Sequence, residues 1–370
     1  MQLHLLAIPH TVTRADFSHC AFTQKVAKLA PMLFPHGFRV IHYGVAGAVS
    51  GAAEDVELMD QDEHQQLLGH RYHETGTGYY GDDATDGSPV YRQFNLYARE
   101  ALKERVQPGD IILLPFGHAH AAAIRGLPVL KAGASAIESG IGYFDVLLPW
   151  RIFESYAARH TVMAKEGRYG VQVESTRLEF VAPNSYEVED WPRGTGKGDY
   201  IAFLGRLTEG KGLRLVYQLA AERPDLTFRV AGQGDPHAYG DIPDNVEILG
   251  ALTTERAAFL GGARAILAPS RYVEPFCGTV VEAALCGTPA ICSDFGAFAE
   301  TVEHGVTGLR CNTVAEFARA LDQVEALDRK YVRARARRRY SLEAVGAQYA
   351  DILNVVAEAT RAGRFPADGW

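Results

Sequence analysis

Residues 268–300 read APSRYVEPFCGTVVEAALCGTPAICSDFGAFAE, and the order of apolar runs, breakers and carboxylates in them decides the architecture. An apolar strand ends near Pro269, a loop carries Glu274, a helix is predicted to open at about Gly278, and a second strand over 289–293 is closed by Asp294 and Gly296. That order is a βαβ half-turn. Between Phe276 and Thr279 the loop has no long side chain, so backbone N–H groups can face a ligand at a helix start, where the dipole favours negative charge. An anion, most simply a diphosphate, belongs there. Glu274 and Glu282 bracket the site, and carboxylates beside a phosphate are costly unless they accept hydroxyl protons, as from a sugar or ribose.

Further motifs follow outward from this stretch. Gly205-Arg206-Leu207 with Lys211-Gly212, Gly232-Gln233-Gly234 after a strand, Cys286-Gly287-Thr288-Pro289, residues 296–300, and Gly305 with Gly308 stand in a definite order. Together with Glu274-Pro275-Phe276-Cys277-Gly278-Thr279-Val280-Val281-Glu282, they resemble the E-x7-E signature and flanking motifs of the retaining GT-B glycosyltransferases. This is the glycogen-synthase-like "glycosyl transferases group 1" family, and the resemblance covers roughly 200–310. It implies an α/β fold of two Rossmann-like domains facing a cleft, with a C-terminal helix crossing back to the N-terminal domain. It also implies that a hexose moves from a nucleotide diphosphate, a UDP-sugar favoured, to a hydroxyl acceptor with retention. By the same resemblance Glu282 takes ribose hydroxyls and Glu274 sugar hydroxyls, and the loop of Phe276, Cys277, Gly278 and Thr279 takes the phosphate. Gly205 lies at the donor, Arg271-Tyr272 just before the central stretch flank the base or sugar, and Arg206 and Lys211 meet the charge that builds on the leaving diphosphate. A surface salt bridge with Glu209 is the other reading of those two cations. The family commonly has Gly where Cys277 stands. No feature marks a carboxylate nucleophile such as retaining glycosidases use, and in the family the departing phosphate takes the acceptor's proton, so no metal or cofactor is expected.

At 370 residues the chain has room for two α/β domains. Its 47% apolar and 22% charged residues are those of a globular protein, and no apolar run approaches the ~20 residues of a membrane span. MQLHLLAIPH lacks a basic start and is cut by His4 and Pro9, so it reads as a first strand rather than a signal peptide. Cys20, Cys277, Cys286, Cys292 and Cys311 form an odd set without C-x-x-C, which argues for a reducing cytoplasm. The net charge of −8 argues against a broad nucleic-acid footprint.

In the N-terminal half, 3–8, 22–34 and 39–43 read as strand, helix, strand. The loop 9–18 then lies at the carboxyl ends of strands, where open α/β sheets bind ligands, so His10 is a cleft candidate. Periodicity fades over 46–89, where glycines, Tyr79, Tyr80 and aspartates suggest a long loop, the acceptor lid candidate. Within it Asp60-Gln61-Asp62 has the D-x-D form of a metal site but reads as a solvated acidic turn. After the strand 110–115, His118 and His120 either face the cleft, where imidazole can hold a proton, or cap and pack a helix. A strand over 129–137 leads to Glu138-Ser139, standing where many relatives have a His-Asp or His-Thr pair. Glu138 accepts a substrate hydroxyl or caps the Gly140 turn. A helix opens at Arg151, and 178–182 is the last strand of this half.

Domains are therefore expected at 1–190 and 199–345, joined by a linker over 191–198 and followed by a returning helix over 346–370. Strands are predicted over 200–204, 226–231, 246–249 and 263–268, and helices over 316–327 and 345–356. Residues 329–339 form the one strongly basic run: a solvated helix face, or a site for an anionic partner such as a membrane surface, nucleic acid or phosphorylated acceptor. A GT-B nucleotide-sugar epimerase and a non-catalytic sugar-nucleotide binding protein are the competing readings of the whole chain.

Overall fold

Short apolar runs alternating with helical stretches can bury both faces of a sheet, and this chain builds two parallel sheets from them. The computed structural model describes residues 1–17, 20–68, 87–168, 177–252 and 254–367. They divide into one unit of Met1–Glu154, Arg159–Ser185 and Leu342–Trp370, and another of Ser155–Ala158 and Tyr186–Ser341.

The first unit has the strands β1 (Gln2–Leu6), β2 (Arg39–Val45), β3 (Glu54–Met59), β4 (Ile111–Leu114), β5 (Ser135–Ile141), β6 (Trp150–Phe153) and β7 (Leu178–Val181). They pair in parallel in the order β3-β2-β1-β4-β5-β6-β7. The helices between them are α1 (Ala21–Leu33), α2 (Gln61–Leu68), α3 (Pro89–Arg105), α4 (Ala121–Ile124), α5 (Pro128–Lys131) and α6 (Tyr156–Lys165). Leu3, Leu5, Ile111, Ile112, Ala136 and Ile137 are fully buried in its core.

Three local expectations are corrected. The span 46–89 is not one loop, because β3 and α2 lie inside it; its residues 69–86, which include Tyr79 and Tyr80, lie outside the described residues. β3 is an edge strand on which half-buried Val56 and Leu58 alternate with exposed Asp55 and Glu57, so acidic residues dilute its apolar signal. Asp60 accepts the Glu63 N–H at 2.8 Å and so holds the start of α2. Nor does a helix open at Arg151: Trp150–Phe153 is buried strand, and the helix begins at Tyr156. Arg151 can sit inside a sheet because its guanidinium meets Glu166 at 2.7 Å and Glu179 at 3.2 Å. Finally, α5 precedes β5, and Glu138 lies within β5 rather than after it.

The second unit carries β8 (Tyr200–Leu204), β9 (Thr227–Ala231), β10 (Val246–Gly250), β11 (Ala265–Ala268), β12 (Ala290–Ser293) and β13 (Gly308–Cys311). Their order is β10-β9-β8-β11-β12-β13, again parallel. Around them lie α7 (Leu213–Glu222), α8 (Arg256–Gly262), α9 (Gly278–Leu285), α10 (Phe298–Thr301), α11 (Val314–Gln323) and α12 (Arg329–Tyr340). Thr313 and Glu316 close a capping box at the start of α11.

The chain then rejoins the first unit as α13 (Leu342–Arg361). Val345, Tyr349, Leu353 and Val356 are buried in that unit's core, Ser135 bonds Thr360 at 2.7 Å, and Trp150 meets Phe365 edge-on. At Gly346 a Cβ would stand 2.7 Å from the Met32 carbonyl oxygen, so a glycine is what lets α13 lie on α1. No described helix is long and apolar enough to cross a membrane, and all five cysteines are free thiols.

Candidate active site

In an open parallel sheet the strand order reverses at one place, and the loops leaving the two central strands there splay apart to form a crevice. In the second unit that place lies between β8 and β11. The loop 205–212 leaves β8 and the loop 269–277 leaves β11, and they are tied together by the Arg271 N–H donating to the Gly210 carbonyl at 2.8 Å. Gly212 has φ +80°, and a Cβ there would strike the Pro269 carbonyl, so both the turn and the close approach require glycine.

The centre of the site is an ion pair. Lys211 Nζ donates to Glu274 Oε1 at 2.6 Å, and the Glu274 side chain is almost wholly enclosed. Ser270 Oγ donates to the same oxygen at 2.5 Å, Tyr272 OH donates to Oε2 at 2.9 Å, and the Tyr272 ring lies 5.2 Å from Lys211 Nζ. Burial works against the Lys211 ammonium, yet Cys277, Glu274 and Tyr272 around it hold its pKa above the ordinary lysine value. The lysine is thus a fixed positive charge in a low-dielectric setting.

Beside it opens α9. Cys277 precedes the helix with φ 64° and makes no side-chain cap; among the described residues it is the one non-glycine at positive φ. Its thiol stands 3.6 Å from Thr279 Oγ1, and burial, followed by the Glu274 charge, pushes the thiol up to about 12, so it stays protonated. The N–H groups of Gly278 and Thr279 belong to the first turn, ahead of the intrahelical ladder, and point where an anion would sit. Glu282 lies two positions into the helix body from Val280, buried, and is paired with Arg256. Behind the loop, the Glu274 carbonyl accepts the Ala297 N–H at 2.9 Å, which joins the turn at Gly296 to the site.

The structure thus gathers Gly205, Lys211, Glu274 and Cys277 on adjoining loops of one sheet, with Gly278, Thr279 and Glu282 on α9 beside them. Arg206 is exposed at the end of β8. Arg271 is also exposed and pairs with Glu209, which Arg214 approaches at 3.5 Å, so Glu209 is not the partner of Lys211. Phe276, expected at the donor, is turned into the core, where it meets Tyr340 edge-on at 5.9 Å. The reading of the sequence missed Ser270 and Arg256, and it set Tyr272 beside the base or sugar rather than on Glu274. Ser270 carries a local signal, since it stands four residues before Glu274 on the same loop; Arg256, on another helix, carries none.

In the first unit the candidates are enclosed. His10 is buried between Tyr91 OH at 3.1 Å and Cys20 Sγ at 3.3 Å, and burial, aided by His64, lowers its pKa to about 4. His120 is fully buried 3.2 Å from Asn95 Oδ1, and burial lowers it to about 3. His118 alone of the three is half-exposed, at the carboxyl end of β4. Glu138 is fully buried and accepts the Leu147 and Leu148 N–H groups and the Tyr143 hydroxyl, so it braces the loop at 147–148 rather than the Gly140 turn. Burial pushes its carboxyl up to about 7 against those hydrogen bonds.

The basic run folds as α12 and turns much of its charge inward. Arg329 donates to the Ala263 and Arg264 carbonyls, Arg333 to those of Trp191 and Leu285, and Arg339 to that of Glu300.

Two parallel α/β units of this topology make the GT-B glycosyltransferase fold. HepE of Anabaena, solved with UDP and glucose, superposes with a TM-score of 0.67 at 16% identity over 96% of this chain and 99% of that one. Sucrose-phosphate synthase from Thermosynechococcus elongatus gives 0.67 at 16% over 97% and 100%. Residues 188–340 match the family model of "Glycosyl transferases group 1". Glycogen synthase of Mycobacterium tuberculosis is 32% identical over 180 residues, 42% of this chain and 43% of that protein. D-inositol 3-phosphate glycosyltransferase of Mycobacterium leprae is 30% identical over 142 residues, 34% and 33%. The chain thus covers less than half the length of these curated relatives.

Proposed function

We propose that the chain is a retaining, metal-independent hexosyltransferase that moves a sugar from a UDP-sugar to a hydroxyl acceptor. The observation that carries this reading is the Lys211–Glu274 pair at 2.6 Å, set between the switch-point loops and the start of α9. The crystal form of HepE with UDP and glucose supports the choice of uridine diphosphate. In this reading the donor's diphosphate lies against the Gly278 and Thr279 N–H groups, and Glu282 takes ribose hydroxyls. Glu274, held by Ser270 and Tyr272, takes sugar hydroxyls. As the anomeric bond breaks, negative charge moves onto the diphosphate, where Lys211 and exposed Arg206 stabilise it without reorganising. The leaving phosphate oxygen takes the acceptor proton on the same face, which accounts for retention without a carboxylate nucleophile. His118 is the first unit's candidate for contact with the reacting sugar. Five free thiols suit a reducing cytoplasm.

The test is UDP release from UDP-sugars against a panel of hydroxyl acceptors, with and without EDTA, and NMR of the product's anomeric coupling. Lys211→Ala is expected to lower kcat by about 100-fold or more, the scale of one lost oxyanion donor. Unaltered turnover in that variant, inverted product, or loss of activity in EDTA would each break a stated part of the proposal.

A further inference from the structure

A second pocket, of about 300 Å³, lies in the same unit on the side of α9 that faces α12. Its walls are the inner side of α9 at Val281 and Ala284, the segment 299–304 with Thr307, Arg310 of β13, and the α12 residues Val332, Arg335, Ala336, Arg339 and Tyr340. None of these residues belongs to the donor loops.

Its chemistry is divided. One part is apolar, from Val281, Ala284, Val302, Val332 and Ala336; the other presents Arg310, Arg335, Arg339 and His304. Acids answer part of this charge: Glu303 stands 3.7 Å from Arg335 and Asp294 3.3 Å from Arg310, while the Glu300 carboxylate is held by the Tyr156 N–H at 2.9 Å and the Ala157 N–H at 2.7 Å. His304 Nδ1 accepts the Arg310 N–H at 3.0 Å, which leaves the proton of a neutral imidazole on Nε2, a donor. Tyr340 is 3% exposed, and its hydroxyl has no hydrogen-bond partner. A buried hydroxyl left unsatisfied costs about 1–3 kcal/mol, so such groups are rare unless something else completes them.

We infer that this pocket is a binding site for a small phosphate monoester, separate from the nucleotide-sugar site. Phosphate offers acceptor oxygens for two guanidinium groups, the His304 donor and the Tyr340 hydroxyl at once, which no single neutral polar group does. The organic part of the ester lies on the apolar wall. Because that wall is α9, the helix that also carries Glu282, the occupant touches the element on which the donor residues stand.

Titration calorimetry on the full chain, with inorganic phosphate and with phenyl phosphate, tests this. Phenyl phosphate is expected to bind more tightly than phosphate, because only it covers the apolar wall. Tyr340→Phe removes a hydroxyl that bonds nothing in the unliganded protein, so its melting temperature should hold while the phenyl phosphate Kd rises several-fold. Arg335→Gln should raise Kd tenfold or more, and Lys211→Ala should leave it unchanged. No binding by either probe, equal binding in wild type, Tyr340→Phe and Arg335→Gln, or loss of binding in Lys211→Ala would overturn the inference; the last would place the phosphate on the donor loops.

Discussion

Cys277 holds φ 64° where an L-residue with a Cβ is strained by about 1–3 kcal/mol. The position is tolerated because the side chain is short and its sulfur reaches Thr279. A β-branched side chain cannot relax there. Cys277→Val should therefore destabilise the protein by about 2 kcal/mol beyond what Cys277→Gly does, as chemical denaturation would read. Equal stability of the two variants would mean that the loop does not hold this conformation in solution. At this scale the sequence was legible where chemistry and backbone coincide. The Glu274 and Glu282 spacing, the Lys211 turn and the helix start at Gly278 could all be read, since a carboxylate, a cation and glycines each have few alternative uses at such positions. Burial was not legible: His10, His120 and Phe276 carry polar or aromatic groups suited to ligands, and only the packing of distant residues shows them enclosed.

The parallel strands announce themselves when apolar throughout, as β4, β8 and β11 do, because both faces are covered. β3 and β6 do not. The first is a half-exposed acidic edge, and the second carries Arg151, whose charge is answered by Glu166 and Glu179 far along the chain. Pairing of that kind has no local period. The α1 and α13 contact belongs to the same class. Helix propensity alone favours Ala over Gly by about 1 kcal/mol within a helix. Yet a methyl at 346 would stand 2.7 Å from the Met32 carbonyl oxygen and 2.9 Å from its Cγ. Gly346→Ala is thus expected to destabilise by about 1–3 kcal/mol, the cost of overpacking. A rise in melting temperature would show that the helices can draw apart freely.

Across the whole molecule, buried titratable groups set the response to acid. His10 and His120 are neutral in the fold with pKa values near 4 and 3, against 6.5 for an exposed histidine. The unfolded chain therefore binds more protons below pH 6.5, and their contribution to stability is lost as pH falls from 6.5 toward 4. Glu138 works the other way. Its folded value near 7 lies above the ordinary 4.5, so the native state holds the extra proton and this contribution weakens as pH rises from 4.5 to 7. Unfolding free energies between pH 4.5 and 6.5 should rise less steeply with pH in the His10→Gln/His120→Gln double variant than in wild type, and more steeply in Glu138→Gln. Identical slopes in all three would mean that none of these groups changes its proton affinity on folding.

The path of the chain through its two units has a temporal side. Residues 186–341 form an uninterrupted stretch within the second unit, whereas the first is opened by β1 and closed only by α13. A ribosome, which releases residues in order, thus delivers the later unit entire while the earlier one still lacks a wall. Until residues 342–361 emerge, the apolar face that α1 offers to Val345, Tyr349 and Leu353 has no covering, so the half begun first is the half finished last.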